Sequence, residues 1–158
     1  MLVLVGLSVA YHDSFATLQW TTYDEPLSIY CSEGYGINNI NSRYNGWYKD
    51  RKWSIGCKQY VPPGTAVDCH TEKNINDYDK MIDFQCNSNE YISKLESVHD
   101  NHFEDRKWSV TCCSASTFAT AYCRLTYMVN DYEENMDFTS DSDEVIIGFN
   151  SFHDNGHE

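Results

Sequence analysis

Two stretches of the chain carry the same five residues. Asp50-Arg51-Lys52-Trp53-Ser54 recurs as Asp105-Arg106-Lys107-Trp108-Ser109, 55 positions later. Side chains alternate along a strand, so Arg51 and Trp53 share a face, as do Arg106 and Trp108. Two chemistries suit the pairing. A guanidinium stacked on an indole contributes about 0.5–1 kcal/mol when exposed and more when desolvated. Such a stack would lock each repeat from inside, with Asp50 or Asp105 bonding a turn. Alternatively, the indole offers a flat face to a pyranose while Arg or Asp holds its hydroxyls. A motif copied from repeat to repeat is usually what makes the repeat fold, so the internal stack is the expected arrangement.

Other residues could in principle do chemistry. His99-Asp100-Asn101-His102 and His153-Asp154-Asn155-Gly156-His157 combine imidazoles with carboxylates, as zinc hydrolysis or acid–base catalysis requires. Tyr44 stands where the first copy would need its histidine, so a polar loop with Asx turns is expected instead. Asp141-Ser142-Asp143-Glu144 lacks the glycine and terminal glutamate of a calcium loop and reads as a solvated turn. No nucleophile–base pair recommends a hydrolase. No enzyme activity, cofactor or metal is expected.

Seven cysteines are many for 158 residues. Cys31 to Cys57 and Cys86 to Cys112 both span 26 positions, which favours those two pairs. Loops of that size stabilise by roughly 3 kcal/mol in the chain-entropy model. Adjacent strand residues face opposite ways, so Cys113 can reach Cys69; Cys86–Cys113 with Cys69–Cys112 is the mirror assignment. Cys123 is left over. No Cys-x-x-Cys pair supports a zinc site.

The elements that must position these residues are repeats. Cys31 maps onto Cys86 and Cys57 onto Cys112 at the 55-residue offset. Residues 144–158 echo residues 90–104 at an offset of 54, sharing His99/His153, Asp100/Asp154 and Glu104/Glu158. Short alternating runs such as Ile82–Cys86 and Arg106–Cys112 predict strands, and no window sustains a helical period. The expected fold is all-β: a single domain of three pseudo-symmetric repeats of about 54–55 residues (about 24–78, 79–132 and 133–158), disulfide-stapled, as a β-prism or β-trefoil. A third Asp-Arg-x-Trp should follow Glu158, so the third repeat is expected to be truncated.

Composition narrows the function. Eleven Lys and Arg against 24 Asp and Glu give a net charge of −13, which disfavours nucleic acid and anionic membranes. No apolar run reaches the roughly 18 residues of a membrane span. Residues 1–16 read as a secretory signal, with Ser14-Phe15-Ala16 before the cleavage point; a buried first strand is the alternative. Secretion suits the cysteine content.

The pattern Cys86, Ser97-Val98-His99-Asp100-Asn101, Glu104-Asp105-Arg106-Lys107-Trp108 and Cys112-Cys113 resembles dermatopontin and its invertebrate relatives. Glu133 to Phe138 is similar to the opening of that family's third repeat. The resemblance runs from about Trp20 to Glu158. It implies a secreted, tyrosine-rich, acidic matrix protein binding collagen, proteoglycans or cell-surface glycans; a homo-oligomer is a further expectation. A soluble invertebrate defence lectin that agglutinates or aggregates cells is the second reading. Acid-flanked Tyr23, Tyr78 and Tyr132 are candidate sulfotyrosines, in line with the same resemblance.

Overall fold

The shortest strands of this chain alternate in burial, so each buries one face and needs a neighbour to cover it. The computed structural model describes residues 1–7 and 19–157 and is all-β apart from a three-residue 3-10 turn at Asn155–His157. Its strands are β1 (Leu2–Leu7), β2 (Leu27–Tyr30), β3 (Tyr35–Asn45), β4 (Asp50–Gln59), β5 (Val67–Glu72) and β6 (Ile82–Gln85). They continue with β7 (Tyr91–Asp100), β8 (Asp105–Ala115), β9 (Cys123–Leu125), β10 (Met136–Thr139) and β11 (Glu144–Ser151). Three open sheets result, ordered β6-β11-β1-β9, β10-β3-β4 and β2-β7-β8-β5.

Each sheet is completed by a strand from elsewhere in the sequence. Strands β2, β6 and β10 share one burial alternation, with the first residue buried and the second and fourth exposed. None stays with the hairpin that follows it. Instead β2 pairs with β7, β6 with β11, and β10 with β3. Ile37, Ile92 and Ile146, which are equivalent in the repeat numbering, meet in one core with Ile40, Leu95 and Phe149.

The long strands repeat in register as well as in sequence. The β3–β4 ladder slips between Ile37 and Asn39, and β7–β8 slips between Ile92 and Lys94. The tight connections need left-handed backbone at Lys49 and Glu104, which are 55 positions apart.

Leu2–Leu7, assigned above to a signal, lies here as β1, between β11 and β9. Its alternation explains why: Val3 and Val5 point inward and are fully buried. Ser14-Phe15-Ala16 lies outside the described residues. The register of β1 is that of a β8-type strand. Val3 faces Phe149 as Val110 faces Leu95, and the slip beside β11 falls between Leu4 and Val5. Met1 therefore takes the position of Trp108. Its amino group donates to Asn130 Oδ1 at 2.9 Å, as the Trp108 N–H donates to Asn76 Oδ1 at 2.9 Å.

Disulfides join Cys31 to Cys57, Cys86 to Cys112 and Cys69 to Cys113, with Cα separations of 5.7, 5.8 and 4.1 Å. The mirror assignment is excluded because Cys69 sits directly across the β5–β8 ladder from Cys113. Cys123 is a free, exposed thiol.

Candidate functional site

The repeated motif makes a junction between repeats, not a stack within one. Arg106 is buried, and its Nε and Nη2 donate to Asp50 Oδ1 and Oδ2 at 2.8 and 2.5 Å. Its Nη1 donates to Ser97 Oγ and the Glu25 carbonyl, both at 3.1 Å. Such a two-pronged pair fixes orientation as well as distance. Asp50 also accepts the Asp24 N–H at 2.8 Å, and Asp105 likewise accepts the Asp79 N–H at 2.9 Å. The turn-bonding role expected of both aspartates is therefore present.

The expected guanidinium–indole stack is not. The carboxylate of the preceding motif is a stronger partner for a desolvated guanidinium than a ring is. The indoles pack on each other instead: Trp53 and Trp108 meet edge to face at 5.0 Å. Trp108 is only 7% exposed, so it has no face to offer a sugar.

Arg51 and Asp105 occupy the equivalent places without an ion-pair partner of this kind. Arg51 Nη1 donates to Ser42 Oγ at 3.1 Å and the Glu134 carbonyl at 2.6 Å, mirroring Arg106. Its Nε and Nη2 find no carboxylate among the described residues, and burial lowers its pKa. Asp105 lacks a guanidinium partner, and burial raises its pKa despite two backbone N–H donors. Both residues line a cavity of about 200 Å³ that reaches Met1, Trp53 and Trp108.

The histidine segments are not simple loops. Asx turns form as expected, with the His102 N–H on Asp100 Oδ1 and the Gly156 N–H on Asp154 Oδ1, both at 2.8 Å. But His99 lies within β7 with its side chain 1% exposed, 3.9 Å from Asp24. His153 lies 3.3 Å from Asp79 and 3.6 Å from Asp105. Two equivalent groups of one histidine and two aspartates result, one of them drawing on Asp50, which Arg106 already occupies. Residues 141–144 form a turn whose Asp141 and Glu144 carboxylates are held by Arg124.

A separate surface was not legible in the motif. Arg43 lies over the Trp20 ring at 4.5 Å, and Lys52 Nζ lies 5.6 Å from Trp20 and 5.8 Å from Tyr23. Tyr23 stacks on Tyr48 at 4.7 Å. Trp47, next to Tyr48 in sequence, is 90% exposed. The second repeat copies part of this ridge: Tyr78 stacks on Phe103 at 4.8 Å with Lys107 Nζ at 4.7 Å. The signal lay in the offset, since Tyr23/Tyr78, Tyr48/Phe103 and Lys52/Lys107 are each 55 apart. Two candidate sulfotyrosines, Tyr23 and Tyr78, thus sit in these stacks, whereas Tyr132 is exposed.

One pH effect follows from β5. His70 Nε2 lies 3.0 Å from Glu90 Oε1, and that hydrogen bond raises the imidazole pKa above 6.5. The folded value exceeds the unfolded one, so the stabilisation is fully present below about pH 6.5 and fades as pH rises through the folded pKa. The His70 ring protons, followed by NMR, are expected to titrate above 6.5. Glu90→Gln should return the midpoint toward that value; an unchanged midpoint would refute the assignment.

These features define a disulfide-braced, all-β module in which a buried Asp–Arg pair joins two copies of one sequence motif. The chain belongs to the dermatopontin family, whose model matches residues 21–158. It is 30% identical to Millepora cytotoxin-1 of Millepora dichotoma over 137 residues, covering 86% of this chain and 60% of that protein. It is 41% identical over 88 residues to the hemagglutinin/amebocyte aggregation factor of Limulus polyphemus, covering 56% of this chain and 50% of that protein. Dermatopontin of Biomphalaria glabrata is 28% identical over 130 residues, covering 82% of this chain and 86% of that protein. The chain thus matches 60% and 50% of the length of the first two. No solved structure matches it.

Proposed function

We propose that this is a secreted extracellular adhesion protein that binds matrix proteoglycans, collagen or cell-surface glycans. The ridge of Trp20, Tyr23, Tyr48, Arg43 and Lys52 is its contact surface. The observation that carries this reading is the clustering of half-buried Trp20, Tyr23 and Lys52 with exposed Arg43 and Tyr48 on a chain of net charge −13. Rings of that kind stack on pyranoses, and the two cations suit sulfate or carboxylate groups. Family membership and three disulfides support the extracellular setting. In this reading the three sheets stand as a β-prism of repeats, and the protein catalyses nothing.

The partial copy at Tyr78, Phe103 and Lys107 favours a second use, that of a soluble defence lectin. Two contact patches on one chain could bridge two cells. Retention on immobilised sulfated proteoglycan and on collagen tests the first use; agglutination reversed by simple sugars tests the second. Arg43→Glu with Lys52→Glu is expected to cut either activity about tenfold, the size of two lost exposed cation contacts. The melting temperature should hardly move. Full activity in that variant would refute the ridge.

Tyrosine sulfation fits the same role, and Tyr132 is its best-exposed site, flanked by Asp131, Glu133 and Glu134. Peptide mapping of native protein is expected to find sulfate on Tyr132. Unmodified Tyr23, Tyr78 and Tyr132 would end that idea.

A further inference from the structure

We propose that Asn45-Gly46 is a self-modifying site, whose conversion to aspartate or isoaspartate weakens the contact surface beside it. The regulation rests on the ridge reading above; the chemistry does not.

The reaction is intramolecular. Asparagine amides are among the thermolabile groups of proteins. The Gly46 amide nitrogen gives its proton to solvent base and attacks Asn45 Cγ. A new C–N bond forms, the bond from Cγ to the side-chain nitrogen breaks, and ammonia leaves with a proton from water. Water then opens the five-membered imide at one of its two carbonyls. Opening at the side-chain carbonyl gives aspartate; opening at the main-chain carbonyl gives isoaspartate. The net change is amide plus water to carboxylate plus ammonium, and nothing is oxidised.

The hairpin tip is arranged for this step. Residues 46–49 form the exposed turn between β3 and β4. The Trp47 N–H donates to Asn45 Oδ1 at 2.9 Å, and the Tyr48 N–H donates to the Asn45 carbonyl at 3.1 Å. The first bond polarises the group under attack and holds the charge that gathers on Oδ1 as the ring closes. The Gly46 N–H has no acceptor among the described residues, so solvent base reaches it. Glycine also brings no Cβ to hinder the approach. The chain's other Asn-Gly pair, Asn155-Gly156, is wound into the 3-10 turn, and its Gly156 N–H is held by Asp154 Oδ1 at 2.8 Å.

The fold already houses the product. Asn45 is equivalent to Asp100, 55 positions on. Asp100 Oδ1 accepts the His102 N–H at 2.8 Å, closing the same turn. Asn45 faces Asp50 across β3 and β4 just as Asp100 faces Asp105 across β7 and β8. An aspartate at position 45 therefore keeps the turn, and what changes is charge. Arg43 lies two residues earlier on the same face, and Lys52 stands directly opposite Arg43. Neither cation has a carboxylate partner among the described residues. The new carboxylate lies roughly 7 Å along the strand from Arg43, inside the screening length of physiological salt. It competes with an anionic ligand for both cations. Isoaspartate adds the same charge and one extra backbone carbon ahead of Trp47 and Tyr48.

The test ages the full chain in mildly alkaline buffer and maps its peptides. Mass reports amide-to-acid conversion, and labelling by an isoaspartyl methyltransferase reports isoaspartate. Asn45 is expected to convert ahead of Asn155. Gly46→Ala should slow it several-fold with the fold intact, since an added Cβ would meet nothing nearer than Tyr44, at 3.7 Å. Asn45→Asp supplies the product without ageing. Its affinity for immobilised heparin should fall about threefold, the size of one exposed charge pair, at an unchanged melting temperature. An Asn45 that keeps its amide, converts behind Asn155 or ignores Gly46→Ala overturns the modification. Full affinity in Asn45→Asp, with affinity lost in Arg43→Glu plus Lys52→Glu, overturns the regulation and leaves the ridge standing. Full affinity in both variants, or none in the wild type, overturns the ridge and the regulation together, while the mass readout stands on its own.

Discussion

Asp50→Ala is expected to lower the unfolding free energy by about 3–5 kcal/mol, the cost of leaving one member of a buried pair alone. Both side chains are almost wholly enclosed, at 4% exposure for Asp50 and 5% for Arg106. Removal of the carboxylate strands a guanidinium whose Nε and Nη2 have no substitute acceptor, while Nη1 keeps Ser97 and the Glu25 carbonyl. The Asp24 N–H loses its acceptor too. Asp105→Ala supplies an internal control. That aspartate accepts two backbone N–H groups but no guanidinium, so its loss should cost less, about 1–3 kcal/mol. Urea unfolding with disulfides intact measures both. Equal losses at the two positions would mean that the ion pair does not hold the junction.

Trp108→Ala is expected to cost about 3–5 kcal/mol, the range for a large core aromatic. Its indole is 7% exposed and packs against Trp53 in the main core. Trp53 should behave differently under a subtler change. Its Nε1 is buried without a hydrogen-bond partner. Phenylalanine would remove that unsatisfied donor while keeping a ring, so Trp53→Phe should fall within about 1 kcal/mol of wild type. If Trp108→Ala left stability intact but abolished glycan binding, Trp108 would belong to the contact surface after all.

Some of this was legible before any coordinates. Equal spans between cysteines betrayed two disulfides, because a repeat copies its covalent frame together with its strands. Strand character followed from alternation, as in Ile82–Cys86. What the residues near the motif could not reveal was the partner of Arg106, because Asp50 lies 56 positions earlier in sequence and arrives only through packing between repeats. A local stack with Trp108 was the nearest available partner on the strand, and tertiary context overrode it. The surface ridge was hidden for a similar reason. Trp20 precedes the first repeat and meets Arg43 and Lys52 only after β3 and β4 pair. His99 looked like a loop residue because its neighbours are polar, yet strand alternation turns its ring inward.

The exchange of short strands between hairpins has a consequence for synthesis. Only one sheet, β2-β7-β8-β5, draws all its strands from residues 27–115. All three disulfides also lie within Cys31–Cys113. The other two sheets wait for β10 and β11, which pair with strands begun about a hundred or more residues earlier. Domains emerge from the ribosome N-terminal end first, so the middle sheet can close and oxidise while β1 still lacks partners and β3 has only β4 beside it. Until the last strands arrive, those unpaired edges are open to pairing with another chain.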